Sequence, residues 1–184
     1  MTTLGAYYYL MAQLPAMPRE APAAISFARF REVALRFLSP RDGDILARLA
    51  LEPPRSALPT GSPIVDEWFA FERSLRLSLE RVRAQALGRE CAQSGEDGSN
   101  AYAMLEALPI ARAAAAMDNP LAAERYLSAA RIDFIERASS LRHFDSEAVF
   151  AYGLTLLLRE REASFASDAG LTEYKKIYNR ILGE

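Results

Sequence analysis

The stretch that decides the fold runs over residues 118–162 and reads DNPLAAERYLSAARIDFIERASSLRHFDSEAVFAYGLTLLLRERE. Its first residues predict the start of a helix. Asp118 or Asn119 is a favourable N-cap, and Pro120 suits the first turn because the N–H that proline lacks would have no intrahelical partner there. A second start is predicted at Asp145, which an acidic residue follows in the first turn, where the helix dipole favours negative charge. The stretch therefore predicts two consecutive helices.

The second of these helices is apolar almost all round. Between Ala148 and Leu158 the only residues without an apolar side chain are Gly153 and Thr155. A helix of this kind has to be covered on most of its circumference. The run is too short to cross a bilayer, which takes roughly 20 apolar residues. We predict that it is the central helix of the protein core.

The first of the two helices carries an apolar stripe at spacings of three and four, which predicts its buried face. The stripe consists of Leu127, Ala130, Phe134, Ala138 and Leu141. The polar residues predicted to lie on the other faces are Glu124, Ser128, Arg131 and Arg137.

The longest helix is predicted to start at Ser62, which Pro63 follows, and to run to about Glu90. An apolar seam sustained over three heptads predicts that it packs against another helix. The seam consists of Ile64, Trp68, Phe71, Leu75, Leu79, Val82 and Ala86. A charge ladder is predicted to lie outside the seam, with members Glu72, Arg76 and Glu80.

A polar segment with two glycines at residues 93–100 is typical of the turn of a helical hairpin. The chain then returns with a second apolar stripe, which consists of Met104, Leu108, Ala111 and Ala115. We therefore predict a long antiparallel hairpin.

The aromatic run Tyr7-Tyr8-Tyr9 leaves two alternatives open. Tyrosine favours strands, whereas the Leu-Met-Ala-Gln-Leu that follows favours a helix, and so short a run cannot be assigned by periodicity. A short buried helix is the favoured alternative over a short N-terminal strand.

Three further helix starts are predicted at the capping residues Ser26, Ser39 and Thr172. The predicted fold class is all-α, a helical bundle with the long hairpin in it. We expect a single all-helical domain over 1–184, with sub-regions 1–52, 62–117 and 118–184.

Composition narrows the functional classes. A hydrophobic fraction of 51% is ordinary for a folded protein, and a net charge of -2 leaves no basic excess to hold a nucleic acid. The lone Cys91 cannot form an intrachain disulfide or a thiolate metal site. The first residues lack the basic, apolar and small-residue pattern of a signal peptide. We expect a cytoplasmic protein.

Catalytic chemistry has little support in the residues. His143 is the only histidine, so a two-histidine zinc motif is impossible and a Ser–His–Asp triad would depend on this one side chain. The carboxylates are expected on solvated faces beside arginines; they include Glu67, Glu72, Glu80, Glu124 and Glu136. We identify no catalytic, cofactor-binding or metal-ligating residue and expect no cofactor. Docking on other proteins is the favoured interpretation, and an enzyme that uses carboxylates in a helical bundle is the alternative.

A set of short motifs spreads over most of the chain. They are Tyr7-Tyr8-Tyr9-Leu10 before Leu14-Pro15, Ile25-Ser26-Phe27 with Phe30, Leu38-Ser39-Pro40, Asn119-Pro120-Leu121, Glu124-Arg125-Tyr126-Leu127, Phe144-Asp145, and Ala151-Tyr152 before Leu157-Leu158-Arg159. Together they resemble an uncharacterised family encoded within bacterial V-type ATPase operons, where its gene lies between those of the peripheral-stalk E subunit and the catalytic A subunit.

The resemblance implies a non-catalytic subunit or assembly factor of a V/A-type rotary ATPase. The gene position is where the C-type subunit, subunit d in eukaryotes, is expected, an all-helical socket that joins the central stalk to the membrane rotor. Other ATPase subunits would then be the partners and would hold the protein at the inner face of the cell membrane. The residues expected to maintain the shared core or a docking surface are Tyr7, Tyr8, Tyr9, Asn119, Glu124, Arg125, Asp145, Tyr152 and Arg159. A helical adaptor of another cytoplasmic complex is the alternative.

Overall fold

A computed structural model describes residues 3–19, 22–54, 58–89, 101–165 and 177–180. Seven helices of eight or more residues follow one another in these ranges, residues 177–180 are also helical, and no strand occurs there. They are α1 Thr3–Gln13, α2 Phe27–Ala34, α3 Pro40–Ala47, α4 Pro63–Ala86, α5 Ala101–Ala115, α6 Pro120–Ser139 and α7 Ser146–Ala163. The all-α class is confirmed, and the alternative of an N-terminal strand is wrong because that segment is helical.

Parts of the predicted chain lie outside the described residues. These are the hairpin turn at 93–100, Cys91 and the predicted cap Thr172. Of the last predicted helix, residues 177–180 are described, and they are helical.

Five helices begin where side-chain caps predict. The capping residues Ser26, Ser39, Ser62, Asn119 and Asp145 each accept a hydrogen bond from a backbone N–H of the first turn. These N–H groups have no carbonyl of their own helix to donate to, so the cap satisfies them. All five predicted starts are confirmed.

Helix α7 is the centre of the packing and contacts α1, α2, α3, α4 and α6. The side chains of Val149, Phe150 and Leu154 are fully buried. A Cβ atom at Gly153 would lie 2.8 Å from Cδ2 of Leu49 and 3.0 Å from Cε1 of Phe30, so the glycine permits this close approach. The prediction of a central helix is confirmed.

Helices α4 and α5 share the most extensive contact between helices among the described residues. The predicted seam of α4 is buried from Ile64 to Leu79, but Val82 is only half-buried and Ala86 is exposed. The seam prediction is therefore confirmed for the first part of α4 and wrong for its last turns.

Helix α4 also ends earlier than predicted, at Ala86 instead of about Glu90. Gly88 adopts a φ of 63°, in the left-handed region that favours glycine. Its N–H donates to the carbonyl of Gln85 at 3.2 Å, and the N–H of Arg89 donates to that of Ala84 at 2.9 Å. These two bonds form a Schellman motif, which stops the helix.

The buried face of α5 differs from the predicted stripe. Its buried residues are Ala103, Ala107, Ala111 and Ala114, whereas Met104 and Leu108 are half-buried and Ala115 is exposed. The facing helix α4 buries two small residues, Ser74 and Ser78. Small side chains on both helices let the backbones approach closely, which leaves room for alanine and not for leucine or methionine.

The buried face of α6 is also rotated from the predicted stripe. Its buried residues are Leu127, Ser128, Arg131, Ile132 and Ile135, whereas Ala130, Phe134 and Ala138 are half-buried and Leu141 is exposed. The rotation brings the charged side chain of Arg131 into the core, where only 4% of it is exposed.

Arg131 reaches the core because Glu72 of α4 meets it there. Nε of Arg131 donates to Oε2 of Glu72 at 2.8 Å, and Nη2 donates to Oε1 at 2.9 Å. The Glu72 side chain is 0% exposed, so the prediction that it lies outside the seam is wrong. Nε of Arg76 also donates to Oε1 of Glu72 at 2.8 Å. Burial lowers the pKa of Arg76, but hydrogen bonds to Glu72 and Glu52 outweigh burial and raise it.

A second buried carboxylate fastens α4 to α7. Oε2 of Glu147 accepts a hydrogen bond from Oγ of Ser62 at 2.7 Å and from the N–H of Ile64 at 3.0 Å. The carboxylate thus lies at the N-terminus of α4, where the helix dipole favours negative charge. It fixes the base of the hairpin on the central helix.

Candidate functional site

The three N-terminal tyrosines separate into one core residue and two surface residues. Tyr7 is buried, and its hydroxyl donates to Asp42 of α3. Burial raises the pKa of Tyr7, and the hydrogen bond to Asp42 raises it further. Tyr8 and Tyr9 are exposed, and the centroid of the Tyr8 ring lies 4.9 Å from that of the Phe144 ring. The run therefore supplies one core contact and an exposed aromatic patch.

Three other residues of the resemblance set support the fold. Asn119 and Asp145 are N-caps. The hydroxyl of Tyr152 donates to the carbonyl of Pro15 at 2.9 Å, and the centroid of the Tyr152 ring lies 5.2 Å from that of the Phe30 ring. Burial raises the pKa of Tyr152. Each of these three side chains therefore makes a hydrogen bond that supports the fold.

Two of the remaining members of the set, Arg125 and Arg159, line an open groove of about 530 Å³ between α6 and α7. The third, Glu124, is not among the lining residues and pairs with Arg161 across the same two helices. We call this groove the α6–α7 groove; its lining residues are Arg19, Arg125, Ser128, Ala129, Ile132, Arg159, Glu162, Ala163 and Phe165.

Helical periodicity brings these residues to one groove. The four from α6 follow a spacing of i, i+3, i+4 and i+7, and those from α7 follow i, i+3 and i+4. Residues at such spacings share one face of a helix. One face of each helix therefore forms one wall.

Ion pairs connect the elements that form the walls of the groove. Nη2 of Arg161 on α7 lies 3.1 Å from Oε2 of Glu124 on α6. Arg19 pairs with Asp133 at 2.7 Å, and its Nε donates to Glu136 at 3.2 Å. The hydrogen bond to Glu136 raises the pKa of the Arg19 guanidinium most, and the hydrogen bond to Asp133 raises it further. The segment after α1 is thus attached to α6 at the groove.

The charges in the groove do not balance. Nη1 of Arg159 donates to Oε2 of Glu162 at 2.9 Å, and this arginine is only 13% exposed. Its Nε is buried and has no hydrogen-bond partner among the residues that the structure describes. Arg125 is exposed, and within the described ranges it forms no ion pair. Because Arg19 is compensated by Asp133 and Glu136, the positive charge of Arg125 is the surplus.

A second groove of about 500 Å³ continues the first along α7. The two share Arg19, Arg159, Glu162 and Ala163, and the second is closed on its far side by residues 22–26. Oε1 of Glu160 at this end accepts a hydrogen bond from the N–H of Phe27 at 2.6 Å. That carboxylate is therefore already bound at the start of α2.

Metal-binding clusters and membrane-spanning helices would mark other kinds of functional site. In the described part of the chain, no cluster of three or more His, Cys, Asp or Glu side chains could hold a metal ion. His143 is exposed beside Phe144, and Glu147 faces the start of α4, so the two do not form a common site. No helix among the residues described is long and apolar enough to cross a membrane.

Sequence reasoning missed several residues that define the groove and the core. Arg19 and Glu162 are far apart in the chain, and only the fold brings them together. For Arg131 a signal existed, because it lies four residues from both Leu127 and Ile135 on one helical stripe. A charged residue with apolar neighbours at both i−4 and i+4 points to a buried ion pair, whereas the predicted stripe places Arg131 on another face of the helix.

One comparison with known proteins identifies a family. The family model described as "Protein of unknown function (DUF2764)" matches residues 48–184, which include α4 to α7 and the helical faces that line the groove. Neither the curated proteins nor the solved structures contain a match to the chain.

Proposed function

We propose, on the premise that this chain belongs to the DUF2764 family, that it is a non-catalytic subunit or assembly factor of a bacterial V/A-type rotary ATPase. In this role it is a C/d-like coupling element that contacts the central stalk and the membrane rotor. It reaches the inner face of the cell membrane through these partners and not through a span of its own.

The observation that carries the proposal is the resemblance of the motifs between Asn119 and Arg159 to the family encoded in ATPase operons. These motifs lie within the matched region. In the structure they form the central helix α7 and the helix α6 that packs against it, with the caps Asn119 and Asp145 and the core residue Tyr152 among them. The resemblance therefore rests on positions that determine the fold.

The surface of the protein is compatible with docking. It presents an open groove lined by arginines and, elsewhere, the exposed aromatic side chains of Tyr8, Tyr9 and Phe144. Arginine and aromatic residues are enriched at protein interfaces. These features support a protein that acts by contact with other subunits.

Co-purification from the native cell tests the proposal. A tagged copy of the chain, extracted under mild conditions, is expected to recover the stalk and rotor subunits in a fixed ratio that quantitative mass spectrometry can measure. A tagged unrelated cytoplasmic protein of similar size is the control. Recovery of no ATPase subunit would refute the proposal, and absence of ATPase genes beside its own gene would favour the adaptor of another complex.

A further inference from the structure

We propose that the α6–α7 groove binds an acidic amphipathic segment of a partner protein. The inference rests on the proposed function, since it assigns the docking face and the chemistry of the segment that docks there. It goes beyond that function because the groove is defined by side chains that no family motif identifies, including Arg19, Ile132 and Glu162.

The first argument is charge. Arg125 has no ion-pair partner in the described ranges. Arg159 also lines the groove and is largely buried, and among the described residues its ion pair is with Glu162, one turn further along its own helix. A guanidinium carries five N–H donors, and a carboxylate accepts two of them in a fork. A carboxylate from a ligand would therefore find unused donors here.

The second argument is the apolar surface between the arginines. Ile132 is buried and forms part of the groove wall, and Phe165 is half-buried with the guanidinium of Arg161 5.7 Å from its ring centre. Ala129 and Ala163 are small and exposed, so they leave the groove open. An apolar side chain that enters there would lose its contact with water. The ligand thus has to carry an apolar group beside its negative charge.

The third argument is shape, which favours a chain segment over a small anion. The groove is open to solvent and continues along α7 into the second groove. Docking of an amphipathic segment in such a groove is a common mode of peptide recognition.

Peptide display on the purified full-length chain tests the inference. Random peptides of about 16 residues are displayed, which is enough for roughly four helical turns. We expect the enriched peptides to combine Asp or Glu with Leu, Ile or Phe. Their affinity is expected to fall as ionic strength rises, because salt screens exposed charges.

Two groove variants and one control locate the binding site. Arg125→Glu reverses the unpaired charge and is expected to weaken peptide binding by about tenfold or more. Ala163→Trp fills the groove, leaves every charge in place and is expected to have a similar effect. Arg112→Glu makes the same charge reversal at an exposed arginine of α5 outside both grooves, and it is expected to bind within about twofold of the wild type. Circular dichroism and urea midpoints check that each variant is folded.

Three results would overturn the inference. They are no enriched peptide, enriched peptides without acidic residues, and equal losses in Arg125→Glu and Arg112→Glu. If Arg125→Glu perturbs the fold, an unchanged affinity in folded Ala163→Trp would overturn it equally. The display experiment needs no ATPase subunit, so its failure and a failed co-purification are independent results.

Discussion

Replacement of Arg131 by methionine is predicted to destabilise the protein severely, although arginine is normally a surface residue. The change leaves the carboxylate of Glu72, which is 0% exposed in the core, without the two hydrogen bonds that the Arg131 guanidinium donates to it. Removal of one member of a buried ion pair costs about 3–5 kcal/mol, mainly because the other charge stays buried and unpaired. The effect follows from Glu72 as much as from Arg131.

The structure places the cost at the lower end of that range. Arg76 remains 2.8 Å from Glu72 and partly compensates its charge. We therefore expect Arg131→Met to lower the free energy of unfolding by about 3 kcal/mol, a factor of about 150 in the unfolding equilibrium constant. For a chain of this size that corresponds to a fall in melting temperature of roughly 6–12 °C.

A double-mutant cycle separates the pair from simple loss of packing. Glu72→Met alone should cost about as much as Arg131→Met, because it leaves the arginine buried without a partner. The double variant Glu72→Met/Arg131→Met should unfold within about 1 kcal/mol of the wild type, since two apolar side chains of similar volume replace both charges. The solvated Arg76 retains Glu52 at 3.0 Å in that variant.

Urea unfolding followed by circular dichroism measures all four forms. The expected coupling energy between the two sites is at least about 3 kcal/mol. Arg112→Met, at an exposed arginine, is the control and should stay within about 0.5 kcal/mol of the wild type. Single variants that match the control, or a double variant whose cost equals the sum of the single costs, would refute the buried-pair argument.

Three further predictions concern packing, capping and pH. Gly153→Ala should lower the free energy of unfolding by about 1 kcal/mol, because the new methyl group overpacks against α2 and Leu49 by more than the gain in helix propensity. Gly5→Ala is the control: a Cβ atom there has no other atom within 4 Å, so this variant should lose no stability in the same urea titration. Asn119→Ala should lower the free energy of unfolding by about 1 kcal/mol, whereas Asn119→Asp should lower it much less, because aspartate can also cap the start of α6. Equal losses in the two variants would contradict the capping role. Burial raises the pKa of Tyr152 above 10.0, so the unfolded chain loses this proton first as pH rises, and stability should fall above about pH 10. Unfolding midpoints at pH 9 and 11, compared between wild type and Tyr152→Phe, should show a smaller fall in the variant, and equal falls would exclude this tyrosine as a cause.

Local features of the fold were predictable from sequence. A cap such as Ser62 or Asn119 acts on N–H groups two or three residues away, so its effect is readable without knowledge of the partner helices. The central helix was also predictable, because an apolar run such as 148–158 can be solvated on none of its faces.

The rotation of α5 and α6 was not predictable from periodicity, because it depends on tertiary partners. Arg131 is buried only because Glu72, 59 residues earlier, lies opposite it. The alanine face of α5 is the buried one because α4 presents small residues opposite it. The hydrophobic periodicity of α5 alone does not reveal this dependence on α4.

The groove was predictable only in part. Arg125 and Arg159 were among the candidate residues, but only through the family resemblance. Their common location follows from the antiparallel packing of α6 on α7. Arg19 could not have been assigned there, because its position depends on contacts with Asp133 and Glu136, more than a hundred residues away in sequence.

The attachment of α4 to Glu147 has a mechanical consequence. Ser62 and Ile64 tie the first turn of a 24-residue helix to the centre of the protein, whereas the side chains of its last turn are mostly exposed. Such a helix is about 36 Å long, and its apolar seam is buried down to Leu79. A force applied to α4 beyond Leu79 is therefore resisted first by the Glu72–Arg131 pair and the buried seam, and it reaches the central helix α7 at the carboxylate of Glu147.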